Sequence, residues 1–172
     1  IIDWLVSDIL KMCPEPVEEI GFIIGDFGKE VENNLLNIAA AHGAKGSIHY
    51  QYEAKGTAHA ILCAKELMDG KVIVAFADTL FKSDEKIDTE KDGIIFVQKV
   101  ADPSAFGVVK MDDNGKIIEF VEKPSTFVSD LAIIGIYFFK DGPLLRSELQ
   151  YLIDNDLKEK GEFQLTNAME TM

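Results

Sequence analysis

Short apolar runs alternate with segments of helical hydrophobic spacing through residues 1–76, and this alternation restricts the fold more tightly than any other feature. Ile2, Leu5, Val6, Ile9 and Leu10 repeat at helical spacing and stop before Pro14, which disfavours helical dihedrals in the residue ahead of it. Glu19 to Ile24 is a compact apolar run closed by Gly25, the form of a buried strand. Val31, Leu35, Ile38, Ala39 and His42 then share one helical face, and Gly43 supplies a C-terminal cap. Residues 47–51 predict a second strand, residues 57–68 a third helix ending at Asp69-Gly70, and residues 71–76 the strongest buried strand of the chain. Spacing of this kind predicts βαβ units, and so a mostly parallel central sheet with helices on both faces.

The pattern changes after Asp78. Residues 93–100, 107–111, 116–121 and 132–139 read as strands, with Asp113-Asn114-Gly115 as a tight hairpin turn, so this half is expected to be richer in antiparallel pairing. A last long helix starts at Gly142-Pro143 and carries Leu145, Leu149, Leu152 and Ile153 on its apolar side. The approach to Met172 reads as the cap of one more helix barely begun, and with Ile1 opening inside a packed element the sequence predicts a single truncated domain.

A formal net charge of −13 disfavours broad contact with nucleic-acid backbone, because there is no excess of Lys and Arg to displace counterions. Any phosphate must be met locally. Cys13 and Cys63 lie in apolar helical patterns with no C-x-x-C spacing, which predicts reduced, buried thiols. No apolar run approaches the roughly 20 residues that span a bilayer, and a cytoplasmic protein without membrane partners is the expectation.

Ligands of open parallel sheets bind beyond the carboxyl ends of the strands. Three segments occupy such places. In Gln51-Tyr52-Glu53-Ala54-Lys55-Gly56-Thr57, a strand leads into a helix start where Gly56 admits close backbone approach; Thr57 as a simple N-cap is the alternative. Asp78 follows the strongest strand, where a carboxylate either holds Mg²⁺ against a triphosphate or caps a turn. Glu122-Lys123-Pro124 closes another strand: Glu122 can accept from sugar hydroxyls and Lys123 can neutralise a phosphate, or the two form a solvated pair. Gly107, after Phe106, either weakens a strand at a bulge or leaves room for a ligand.

Taken in order, these segments, together with Ser129-Asp130-Leu131-Ala132, Gly135-Ile136-Tyr137 and Lys160-Gly161-Glu162-Phe163-Gln164-Leu165-Thr166, resemble the nucleoside-diphosphate-sugar pyrophosphorylases, which include glucose-1-phosphate thymidylyltransferases and mannose-1-phosphate guanylyltransferases. The resemblance covers nearly the whole chain. It implies an α/β, Rossmann-like nucleotide-diphospho-sugar transferase fold, with residues 1–80 as a nucleotide-binding half and residues 81–172 as a sugar-phosphate-binding half. It also implies transfer of a nucleotidyl group from a nucleoside triphosphate to a sugar 1-phosphate, with Mg²⁺ as cofactor. Gln51, Gly56 and Thr57 would meet the nucleotide, and Asp78 would bind the metal. Gly107, Glu122, Lys123, Asp130, Ile133, Ile134 and Lys160 would meet the sugar phosphate, with Asp78 and Lys123 in the catalytic role.

Four departures from the family pattern matter. The family's first strand with its G-x-G-T-R-like phosphate loop has no counterpart, nor has its second metal-binding Asp, so the 172 residues alone are expected to be inactive. Thr79 and Asp130 also stand where Asn is common in relatives. A catalytically silent sugar-nucleotide-binding or regulatory relative, and a nucleotidyltransferase acting on a non-sugar phosphate, are the competing functions; assembly into a homo-oligomer is compatible with each.

Overall fold

Helix α1 (Ile2–Met12) buries Leu5, Val6 and Met12 and ends at Cys13, whose extended conformation suits the residue before Pro14. The computed structural model describes residues 1–172. Strand β1 (Glu19–Ile24), helix α2 (Lys29–Ala41) and strand β2 (Lys45–Tyr50) form a βαβ unit, the two strands pairing in parallel from Glu19 opposite Lys45 to Ile24 opposite Tyr50. A Cβ at Gly46 would lie 3.1 Å from Ala39 Cβ, so glycine lets α2 settle closely on β2.

Helix α3 (Thr57–Leu62) is shorter than its spacing predicts and passes into a 3₁₀ turn (Lys65–Leu67). Leu67 N bonds to Ala64 O and Met68 N to Lys65 O, tightening the end of the element and satisfying carbonyls that a helix would leave bare. Cys13 and Cys63 are half-buried rather than fully enclosed; each thiol donates to a helical carbonyl, and burial pushes both thiol pKa values up.

A five-stranded sheet contains β3 (Val72–Ala75), β4 (Gly93–Lys99), β5 (Gly107–Met111), β6 (Ile117–Glu122) and β7 (Leu131–Phe139). All of its pairings are antiparallel, and β7 is the hub, bonding to β3, β4 and β5. The α/β, Rossmann-like class holds, while parallel pairing is confined to β1 and β2 instead of running through a mostly parallel sheet. Chain spacing records which element follows which. The partner of an apolar strand is settled by burial, and Val72–Ala75 finds in β7 a run that is apolar on both faces.

Side chains of β7 alternate between two packed layers. Tyr137 and Phe139 join a core built with α3, α4 (Gly142–Asp154) and α5 (Leu165–Thr171), whereas Phe138 meets Met12 at the end of α1 and Ile87 on the opposite side. Leu149 of α4 is fully enclosed in the first core, and Leu149→Ala is expected to cost about 2–5 kcal/mol, read as a lowered midpoint in urea unfolding.

The start of α4 follows the sequence closely, with Asp141 as N-cap accepting from Leu144 N at 2.8 Å and Pro143 in the first turn. The tight hairpin turn expected at Asp113-Asn114-Gly115 is present: Asp112 N donates to Lys116 O at 2.9 Å, Gly115 N donates to Asp112 O at 3.0 Å with Gly115 at φ of 78°, and Asp112 Oδ1 accepts from Asn114 N and Lys116 N, each at 2.9 Å. Residues 165–171 form a full helical turn or two where the sequence predicts only a cap, because the first amide receives its partner from elsewhere: Leu165 N donates to Thr57 Oγ1 at 2.9 Å, across 108 residues of chain. No helix is long and apolar enough to cross a membrane.

Candidate active site

The centre of β7 is bent. Ile95 lies opposite Tyr137 and Val97 opposite Ile133, so a step of two residues in β4 spans four in β7, and the excess forms a bulge at Ile134-Gly135. Gly135 has φ of 76°, and a Cβ there would press on Phe76 at 3.0 Å. The carbonyl of Gly135 accepts from Phe76 N at 2.9 Å, which draws the chain leaving β3 across the bulge and sets Asp78 in the turn just beyond. Asp78 is exposed, and Thr79 Oγ1 donates to its Oδ1 at 3.2 Å.

From the other side, β5 and β6 bring Gly107 opposite Glu122. A Cβ at Gly107 would lie 2.8 Å from Glu122 Oε2, so the bare glycine is what leaves room for this carboxylate. Asp78, Gly107 and Glu122 line one cavity of about 430 Å³, with Thr57, Ile133 and Ile134 also in its wall. Tyr137 supplies the decisive electrostatic detail. Burial holds its phenol well above the ordinary tyrosine range, and the charges of Glu122 and then Asp78 raise it further. Both carboxylates therefore act on the same space.

The remaining predicted residues are distributed around this cavity. The Lys123 ammonium lies 3.8 Å from Glu122 Oε1, and Lys160 Nζ donates to the Glu122 carbonyl at 3.0 Å, which places two cations beside the glutamate without either lining the cavity wall. Asp130 is not brought in. Its backbone accepts from Val100 N, and its carboxylate turns to Lys99 at 3.4 Å, because the β4–β7 ladder ends there.

Gln51 and Gly56 form a neighbouring loop outside the cavity wall. Gly56 faces protein: a Cβ would lie 2.4 Å from Phe163 O and 2.7 Å from Phe163 N. Thr57 is the first residue of α3 and not its N-cap, and its hydroxyl instead joins α5 by accepting from Leu165 N and donating to Gln164 Oε1. The loop and the cavity are thus stitched together along residues 55–58 and 163–165.

Sequence reasoning did not single out Tyr137, Gly135 or Thr166 as site residues. A glycine inside an otherwise apolar strand was the available signal for the bulge. Nothing local marks Thr166, whose hydroxyl is buried in the cavity wall with no hydrogen-bond partner in the chain. As for a metal, no group of three or more His, Cys, Asp or Glu side chains converges anywhere. A zinc-type cage has no donors here, whereas the lone, exposed carboxylate of Asp78 suits a hard cation that keeps waters and phosphate oxygens in its shell.

The α/β scaffold thus brings two carboxylates to one open cavity, with two lysines and a glycine-bearing loop beside it. The model of the nucleotidyl transferase family matches residues 1–169, and the chain belongs to that family. Among curated relatives it is 28% identical to the low-salt glycan biosynthesis nucleotidyltransferase Agl11 of Haloferax volcanii, over 100% of this chain and 48% of that protein. It is 30% identical to a glucose-1-phosphate thymidylyltransferase of Streptomyces antibioticus, over 90% of this chain and 44% of that one. The chain thus spans about half the length of these relatives. Its fold matches the crystal structure of a nucleoside-diphosphate-sugar pyrophosphorylase from Vibrio cholerae with a TM-score of 0.73 at 18% identity, covering 88% of this chain and 67% of the other.

Proposed function

We propose that the protein to which this chain belongs transfers a nucleotidyl group from a nucleoside triphosphate to a sugar 1-phosphate, releasing pyrophosphate. Residues 1–80 serve the nucleotide and residues 81–172 the sugar phosphate. The observation that carries this reading is the convergence of Asp78, from the first part, and Glu122, from the second, on the Tyr137 phenol at one cavity.

In the reaction, an oxygen of the sugar phosphate attacks the α-phosphorus of the triphosphate and the bond to the leaving pyrophosphate breaks. Positioning and charge neutralisation carry such chemistry, so no side-chain nucleophile is needed. Glu122 accepts from sugar hydroxyls in the space that Gly107 leaves, and the unpartnered Thr166 hydroxyl offers a further polar contact in the same wall. Lys123 and Lys160 neutralise the sugar phosphate as point charges. Asp78 would hold Mg²⁺, which when bound supplies charge neutralisation on the phosphate oxygens.

Binding to the chain is the direct test, by calorimetry with UTP and MgCl₂ and separately with glucose 1-phosphate. Uptake of the triphosphate that requires the metal and is lost in Asp78→Asn is the expected result; metal-independent uptake that is indifferent to Asp78 would contradict the reading. Gly107→Ala is expected to change stability by no more than about 1 kcal/mol, since its Cβ would press on the movable end of Glu122 and meet Ile133 Cδ1 only at an ordinary 3.5 Å, yet to weaken glucose 1-phosphate binding roughly tenfold by displacing that carboxylate.

A further inference from the structure

Three residues other than glycine take a positive φ in this chain, and two of them are the lysines beside Glu122: Lys123 at 46° and Lys160 at 52°. Such conformations persist only where the surroundings enforce them, and they gather at functional sites. Lys123 is under a second constraint, because the following Pro124 pushes it toward extended backbone of negative φ.

The peptide joining Glu122 to Lys123 is fastened on both sides. Its N–H, on Lys123, donates to Phe106 O at 3.1 Å, one step beyond the pairing of Gly107 with Glu122. Its carbonyl, on Glu122, accepts from Lys160 Nζ at 3.0 Å, across 38 residues of chain. Turning this peptide plane over would return Lys123 to the negative φ that a residue before proline prefers, and both bonds oppose the turn. The strain and one ordinary hydrogen bond are of similar size, so the N–H bond alone leaves the two orientations near balance. The added charge-assisted bond from Lys160 decides between them.

Lys160 is itself presented on a rigid support. Glu159 and Glu162 exchange both backbone hydrogen bonds, at 2.9 and 3.0 Å, and Lys160 and Gly161, with φ of 52° and 89°, form the two-residue turn between them. Asn, Asp and Gly are the residues such a turn favours at its first position, so a lysine there is kept at a conformational cost.

We infer that Lys160 is a positioning residue whose ammonium latches the Glu122–Lys123 peptide and so keeps the Glu122 carboxylate seated against Gly107. This rests on the proposed function and adds to the charge that Lys160 brings to the sugar phosphate. An ammonium has three donors, and the one engaged by the Glu122 carbonyl leaves the others for phosphate oxygens. Without the latch, the turned peptide withdraws Lys123 N from Phe106 O and unfastens the β5–β6 ladder at the place where Gly107 receives the carboxylate.

The test uses the ¹⁵N-labelled chain, wild type beside Lys160→Met, which keeps an unbranched side chain on the turn but has no donor, and Lys160→Arg, which restores one. The first readout is the nuclear Overhauser cross-peak between the amide proton and Hα of Lys123 in the free protein, which is strong at positive φ because the two protons are then close. The second is the binding of glucose 1-phosphate and of glucose, followed at the Gly107 amide signal. Glucose carries no phosphate, so a lost charge alone does not touch it. Lys160→Met is expected to weaken the cross-peak and to lower glucose affinity roughly two- to fivefold, because only the latched fraction is competent to bind. Glucose 1-phosphate affinity is expected to fall by roughly 10- to 100-fold, the lost charge included. Lys160→Arg is expected to restore the cross-peak and both affinities.

A cross-peak of unchanged strength in Lys160→Met overturns the inference and leaves the proposed function standing. So does a glucose 1-phosphate affinity that falls while glucose affinity holds, the mark of a lysine that serves the phosphate alone. Failure of Lys160→Arg to restore the two readouts overturns it as well, since the donor would then not be what matters. A wild type that binds neither glucose nor glucose 1-phosphate overturns the proposed function and the inference together.

Discussion

Gly56→Ala is expected to destabilise the chain by about 3–5 kcal/mol, enough to unfold a large fraction of a marginally stable domain. Two costs coincide at this position. The residue has φ of 105°, a conformation that side-chain-bearing residues rarely adopt, and the new Cβ would lie 2.4 Å and 2.7 Å from backbone atoms of Phe163, which cannot swing away as a side chain would. Relief requires breaking the bonds from Phe163 N to Lys55 O and from Ala58 N to Phe163 O, and with them the link between loop and cavity. Gly28 is the control: its φ is 82°, with nothing within 4 Å of the added Cβ, so Gly28→Ala is expected to cost only about 1 kcal/mol. Urea unfolding of the two variants measures the difference.

Glu122→Gln is expected to lower glucose 1-phosphate affinity by roughly 10- to 100-fold, the range for losing a charged hydrogen-bond partner, while thermal stability stays close to wild type. The substitution keeps the volume facing Gly107 and removes only the charge.

Much of the site was legible because strand ends announce themselves. Apolar runs closing on Asp78 and on Glu122-Lys123-Pro124 could be found from residue types alone, and the rule that ligands gather beyond strand ends then selected them. Local chemistry was equally readable at Pro14 and at Asp141, where one residue and its neighbours determine the outcome.

What was not legible depends on partners distant in the chain. The antiparallel pairing of β3 is decided by β7, the start of α5 by Thr57, and the tight turn at Gly56 by the Phe163 backbone. Gly56 illustrates the difference well, since the sequence correctly marks a glycine that admits close approach, but the approaching group is the protein's own chain. Asp130 shows the converse: the family resemblance alone made it a candidate, and the ladder between β4 and β7 turns its carboxylate to Lys99.

The claim on which the rest depends is that a metal–triphosphate complex seats at the turn after β3. Paramagnetic Mn²⁺ in place of Mg²⁺, added at substoichiometric levels to the ¹⁵N-labelled chain with UTP, tests it without requiring turnover. The account predicts that the amide signals of residues 77–79 and of Gly135 broaden first, and that Asp78→Asn abolishes this selectivity. Broadening that spreads over the acidic surface, or that leaves residues 77–79 sharp while other carboxylates respond, would contradict it.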